Sequence, residues 1–122
     1  MNGAKKAVDL AHLSRYTGGD TAINAEVLKM FNDQAGDLVS RLRGLLDARD
    51  AKTWKEITHT IKGAARGIGA FPLADAAAFA EPIDPVKDRG NASLAVNALK
   101  TEADQVEAFI KDFLADCADR TP

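Results

Sequence analysis

Residues 57 to 70 read Ile57-Thr58-His59-Thr60-Ile61-Lys62-Gly63-Ala64-Ala65-Arg66-Gly67-Ile68-Gly69-Ala70, and the fold turns on how this stretch is taken. Gly63, Gly67 and Gly69 have the spacing of a dinucleotide-binding loop, which requires a buried strand before it and a helix after it. Ile57, Ile61 and Ile68, together with Trp54, Ala64 and Ala65, recur instead at helical steps. On a wheel of about 100° per residue they fall within about 50° of one direction, so the periodicity predicts a helix with one buried face.

The rest of the chain favours the helical reading. Alanine is abundant, aromatic residues make up only 6%, and β-branched residues are scattered rather than grouped in alternating runs. The expected class is all-α, and 122 residues fit a single domain spanning 1–122. With 16 basic against 18 acidic residues the formal charge is -2, which gives no reason to expect nucleic acid as a partner. No window approaches the roughly 18 apolar residues of a membrane span. The first ten residues lack the apolar run of a secretion signal, and the single Cys117 has no internal disulfide partner. A cytoplasmic chain is expected, and Met1 with the polar end Asp119-Arg120-Thr121-Pro122 reads as complete and free-standing.

Helix boundaries follow from caps and breakers. Val8, Leu10, Ala11 and Leu13 make a short first helix stopped at Thr17-Gly18-Gly19-Asp20. Asp20 or Thr21 caps a long helix running to about Asp47, with Ile23, Val27, Met30, Phe31, Gln34, Leu38, Leu42 and Leu45 as its stripe. Asp50 caps the next, which Gly69 ends, and Phe71-Pro72 opens another that stops at Pro82 and Pro85. After a loop through Asp88, Arg89 and Gly90, Asn91 or Ser93 caps the last helix, whose inward side carries Leu99, Ala103, Val106, Phe109, Ile110, Phe113, Leu114 and Cys117. Four long helices joined by short loops predict an antiparallel up-down four-helix bundle with a short additional N-terminal helix.

Opposite the buried stripe of the 57–70 segment, the wheel places His59 at about 200°, with Lys62 at about 140°, Lys55 at about 160°, Arg66 at about 180° and Gly63 at about 240°. Glycine inside a helix costs roughly 1 kcal/mol against alanine, and core packing gives no reason for it on an outer face. Its presence predicts that something large comes close to His59. An exposed neutral imidazole is a competent nucleophile, and the surrounding cations would favour an attached phosphoryl group. The residues alone leave two readings open: an ordinary surface histidine on a solvated basic face, or a phosphoryl acceptor.

Two families bear on the choice. The glycines resemble the TGxxxGxG loop of short-chain dehydrogenases, with Lys62 in place of threonine. That family also needs a tyrosine followed four residues later by lysine, whereas Tyr16, the only tyrosine, is followed by Asp20, and the 53 residues after Gly69 contain no strand pattern. The second resemblance is wider. Trp54-x-x-Ile57-x-His59-Thr60-Ile61-Lys62-Gly63-Ala64-Ala65-x-x-Ile68-Gly69-Ala70, followed by Leu73 and Glu81 and preceded by Gly18-Gly19-Asp20 and a long helix, resembles the histidine-containing phosphotransfer (HPt) domain of bacterial two-component phosphorelays.

That resemblance implies His59 as phosphoacceptor at Nε2, Lys62 neutralising phosphoryl oxygens, Gly63 giving clearance to a docking partner, and Glu81 orienting the imidazole through Nδ1. Lys55 and Arg66 are further candidates for phosphate or docking contacts. Pro82, directly after Glu81, biases that residue away from helical backbone and from the ring. The implied partners are response-regulator receiver domains and a hybrid or sensor histidine kinase, with Mg2+ on the receiver. The chain itself would carry no cofactor, no metal and no kinase activity, and would be monomeric. The docking rim is expected from apolar residues of the first helix or the Phe71 corner. A helical binding module that is never phosphorylated, or a module cut from a larger kinase, remains as the alternative. His12 has no partner at metal-ligand spacing, and Cys117 reads as a small buried residue.

Overall fold

The computed structural model describes residues 6–119, so Met1 and Arg120-Thr121-Pro122, on which the expectation of a complete, free-standing chain largely rests, lie outside the described residues. Among those residues there are five helices and no strand: α1 (Leu10–Thr17), α2 (Thr21–Ala48), α3 (Ala51–Ile68), α4 (Phe71–Ala80) and α5 (Arg89–Asp119). The chain is all-α. No helix is long and apolar enough to cross a membrane among the described residues.

Each boundary has a local cause. Asp9 caps α1 by accepting from the His12 amide, and Gly18 ends it in the left-handed region. Asp20, not Thr21, caps α2 through the amides of Ala22 and Ile23. Asp50 caps α3, accepting from the Thr53 amide at 3.0 Å and the Thr53 hydroxyl at 2.7 Å. Pro72 occupies the first turn of α4, where its missing N–H costs nothing. Beyond α4, Asp84 folds the connecting turn by accepting from the amides of Val86 and Lys87.

The last helix departs from expectation. It begins at Arg89, and the residue whose side chain meets its first turn is Asp88, which accepts from both the backbone and side-chain nitrogens of Asn91. Arg89 and Gly90 are helical rather than loop. Asp88 can accept from Asn91 in the Asx geometry that starts a helix, and Arg89 is drawn in by donating to the Leu46 carbonyl and the Asp47 carboxylate.

Four helices form a ring of neighbours: α2 packs on α3 and α5, and α4 packs on α3 and α5, while α1 lies against α2 and α3. Arg43 donates to Asn97 and Arg89 to Asp47, so numbering rises along α2 as it falls along α5. The core between them includes Trp54, Leu28, Leu42, Ile61, Leu73 and Leu99, all essentially sealed from solvent. Two buried polar residues are satisfied locally. Thr58 donates back to the carbonyl of Trp54, and Asn24 accepts from Thr17, tying α1 to α2.

The stripe expected for α2 is shifted. Asn24, Leu28, Phe31, Ala35, Val39, Leu42 and Leu46 are buried, whereas Ile23 and Met30 are 47% and 62% exposed and Gln34 is also exposed. An α2 held between α3 and α5 centres its core on the line between those neighbours, and the apolar surface of α2 is wider than that line. Cys117 is half-buried rather than sealed.

The α3–α4 corner is closed by the segment ahead of α1. The Asp9 amide donates to the Gly69 carbonyl at 2.9 Å, and Val8 beside it is fully buried. Gly69 has φ +86°, and a Cβ there would meet the Asp9 carbonyl oxygen at 2.6 Å. Gly67, two residues earlier, has open space around it. Gly69→Ala should therefore cost about 2–4 kcal/mol, from left-handed backbone and the clash together, while Gly67→Ala should be neutral or stabilise by up to roughly 1 kcal/mol. Urea denaturation of the two variants beside the wild type checks both signs.

Candidate functional site

The α3 helix presents its solvent face because its other face carries Trp54, Ile57, Ile61, Ala65 and Ile68 into the core. His59 projects from that face with 68% of its side chain exposed. Lys62 follows one turn later, and Lys55 precedes by one turn, beside His59 in an open depression that Lys52, Glu56 and Glu81 also line. Lys52 and Glu56, missed in the sequence, sit at the i-7 and i-3 positions from His59 and were discoverable from that spacing. Arg66 lies about 10 Å further along the helix axis than His59 and does not line the depression. Lys55 and Arg66 form no ion pair among the described residues.

Glu81 arrives from α4. It stays helical, at φ -56° and ψ -45°, against the bias that Pro82 imposes. The reason is tertiary. Its amide donates to the Ala77 carbonyl, and one residue earlier the buried Trp54 indole donates to the Ala80 carbonyl at 3.0 Å. Held there, Glu81 places Oε2 3.2 Å from Nδ1 of His59 and Oε1 2.5 Å from Nζ of Lys62.

The Glu81 carboxyl is held below the ordinary carboxylate range chiefly by its hydrogen bond from Lys62; burial opposes this, and the hydrogen bond from His59 adds to the lowering. An ionised carboxylate only accepts, so Nδ1 of His59 must carry the hydrogen in this contact. Nε2 is then left with its lone pair on the exposed side of the ring. The arrangement is a fixed-tautomer imidazole on an open, cationic surface.

Gly63 is exposed, and a Cβ built on it meets nothing within 4 Å. The fold itself gives no reason for glycine there. On its other flank α3 meets α2 in a crevice where Gln34 and Leu38 face Thr60 and Ala64. Ile23, Val27 and Met30 continue the Gln34 edge of α2 at helical steps, so apolar surface beside the Gly63 flank comes from α2. Phe71 does not supply it: its ring is half-buried and meets the His12 ring edge-on at 5.1 Å. Nε2 of His12 is buried without a hydrogen-bond partner among the described residues. No three His, Cys, Asp or Glu side chains gather as a metal cluster among the described residues.

Comparison with known proteins matches the Hpt domain family model over residues 26–109. No curated protein and no solved structure matches the chain.

Two outcomes follow from this geometry. Trp54→Phe removes the indole hydrogen bond to the buried Ala80 carbonyl, which still accepts from the Ile83 amide at 3.1 Å, and should cost about 0.5–1.5 kcal/mol in a urea titration. For Glu81, the folded-state pKa lies below the unfolded one. The stability it contributes is therefore present above the ordinary carboxylate range and lost as pH falls through the depressed value. The stability gap between wild type and Glu81→Gln should accordingly narrow as the pH is lowered from about 6 to about 3, measured by urea midpoints along that series.

Proposed function

Because the chain belongs to the Hpt domain family, in which a histidine carries the phosphoryl group within a phosphorelay, we propose that His59 is its phosphoacceptor and that receiver domains are its partners. The observation that carries the reading is the exposed His59 ring whose Nδ1 faces the Glu81 carboxylate, leaving Nε2 as the attacking nitrogen. Phosphoryl transfer asks little of the protein beyond in-line positioning and charge neutralisation. Lys55 and Lys62 supply positive charge beside the ring, and Arg66 extends it along α3. The open space at Gly63 lets a partner domain approach closely, with Ile23, Val27 and Met30 of α2 as the apolar side of the docking surface.

In this reading the chain accepts a phosphoryl group from an aspartyl-phosphate on one response-regulator receiver, or on the receiver of a hybrid kinase, and passes it to an aspartate on another. The remaining half of the active site, aspartate and Mg2+, belongs to the receiver. The protein is a cytoplasmic, bacterial, monomeric carrier, an antiparallel up-down four-helix bundle with α1 appended. It has no kinase activity of its own. The ring of α2, α3, α4 and α5 contacts supports that architecture.

The test is phosphotransfer from a panel of radiolabelled phospho-receivers. The expected product is acid-labile, alkali-stable label on the wild type and none on His59→Ala. A second arm uses Gly63→Leu, which should keep the thermal midpoint within a few degrees because its side chain enters open space, yet slow transfer on the order of 10–100-fold by holding the partner off. Absence of label from every receiver, with the protein folded, would favour a helical binding module in which His59 is never phosphorylated.

A further inference from the structure

Helix α3 carries a single acidic residue, Glu56, and it lines the same depression as Lys52, Lys55 and His59. The fold gives no reason for it. Its side chain is exposed and fills no core. An acid favours a helix electrostatically within the first turn, whereas Glu56 lies in the second and Asp50 already caps the start. Lys52 stands four residues earlier, but a lysine ahead of a glutamate is the weaker orientation of such a pair. The Glu56 carboxylate is in no ion pair among the described residues.

On the wheel of α3, Glu56 falls at about 260° and Gly63 at about 240°, against about 200° for His59. Glu56 and Gly63 therefore share one column, two turns apart, on the side of His59 that faces α2. There Thr60 and Ala64 meet Gln34 and Leu38, and the neighbouring edge of α2 exposes Ile23 and Met30. A domain that comes in over Gly63 to reach Nε2 also covers Glu56.

Covering changes what the charge does. In water a carboxylate one turn from a phosphoryl group repels it weakly, because solvent and salt screen both. Beneath a docked domain the repulsion grows, and a carboxylate without a counter-charge bears its desolvation penalty in full. We infer that Glu56 is a specificity-determining residue: a lysine or arginine on the docking face of the receiver must meet it, and receivers lacking a cation at that point are turned away. The inference rests on the phosphotransfer reading and adds to it the charge that a productive receiver presents. Glu56 touches no reacting atom. It discriminates by leaving an unpaired anion under the wrong partner.

The experiment repeats the panel of phospho-receivers with Glu56→Gln, which removes the charge while keeping the size and helix propensity of the side chain. Helicity and thermal midpoint should match the wild type. Transfer from the receiver that labels wild type fastest should slow about tenfold, while slower receivers keep their rates or gain, so the spread of rates narrows. Glu56→Lys should lose the fastest receiver. It should regain it when one exposed lysine or arginine beside that receiver's aspartate is changed to glutamate. Acceleration with every receiver would mark the carboxylate as a mere repulsive neighbour of the phosphoryl group and overturn the inference. Uniform slowing, an unaltered spread, or no receiver charge reversal that restores Glu56→Lys would overturn it as well. Wild type labelled by no receiver defeats the phosphotransfer reading and the inference together, whereas labelling that is blind to Glu56 defeats the inference alone.

Discussion

The hydrogen bond from the Trp54 indole to the Ala80 carbonyl is the tie on which the site depends. Helix α4 has only ten residues and no side-chain cap at its start, well short of the length at which an isolated helix persists in water. Its packing on α3 and α5 keeps it helical, and the indole ties its last residue, Ala80, to α3. Trp54 and His59 stand on the same helix, five residues apart. The imidazole and the carboxylate that meets it are therefore both positioned by α3, one directly and one through the indole.

Much of this was legible in the sequence, for identifiable reasons. Asp50, Gly69 and Phe71-Pro72 mark boundaries by local chemistry, and the α3 stripe is regular enough that the outward direction of His59, Lys62 and Gly63 follows from the wheel alone. Local rules failed where a distant contact decides. Pro82 argues against a helical Glu81, and the indole from 28 residues upstream of that proline outweighs it. Arg89 and Gly90 look like loop until Asp47 and the Leu46 carbonyl are seen to receive the Arg89 guanidinium. Gly69 reads as a helix stop, which it is, but nothing local reveals that Asp9 presses against it.

The α2 stripe failed in a more informative way. Periodicity locates apolar residues without telling which of them a neighbour covers. Ile23 and Met30 fit the period and remain exposed, because the neighbours of α2 cover a band narrower than its apolar surface. The surplus lies along the edge that faces the Gly63 flank of α3. Scattered exposed apolar residues need no explanation; two on one edge, flanking the half-buried Val27 at helical steps and next to a glycine the fold does not require, do.

The contact of Asp9 with Gly69 and the burial of Val8 place the segment just ahead of α1 against the corner between α3 and α4. The family match spans residues 26–109 and excludes that segment, α1, and the start of α2. The matched segment and the packed unit therefore do not coincide in this chain. Excision at the family limits would strip Val8 from the core, open the corner that aligns α4, and cut α2 above Asn24, so the unit that carries the motif is smaller than the unit that can hold it in shape.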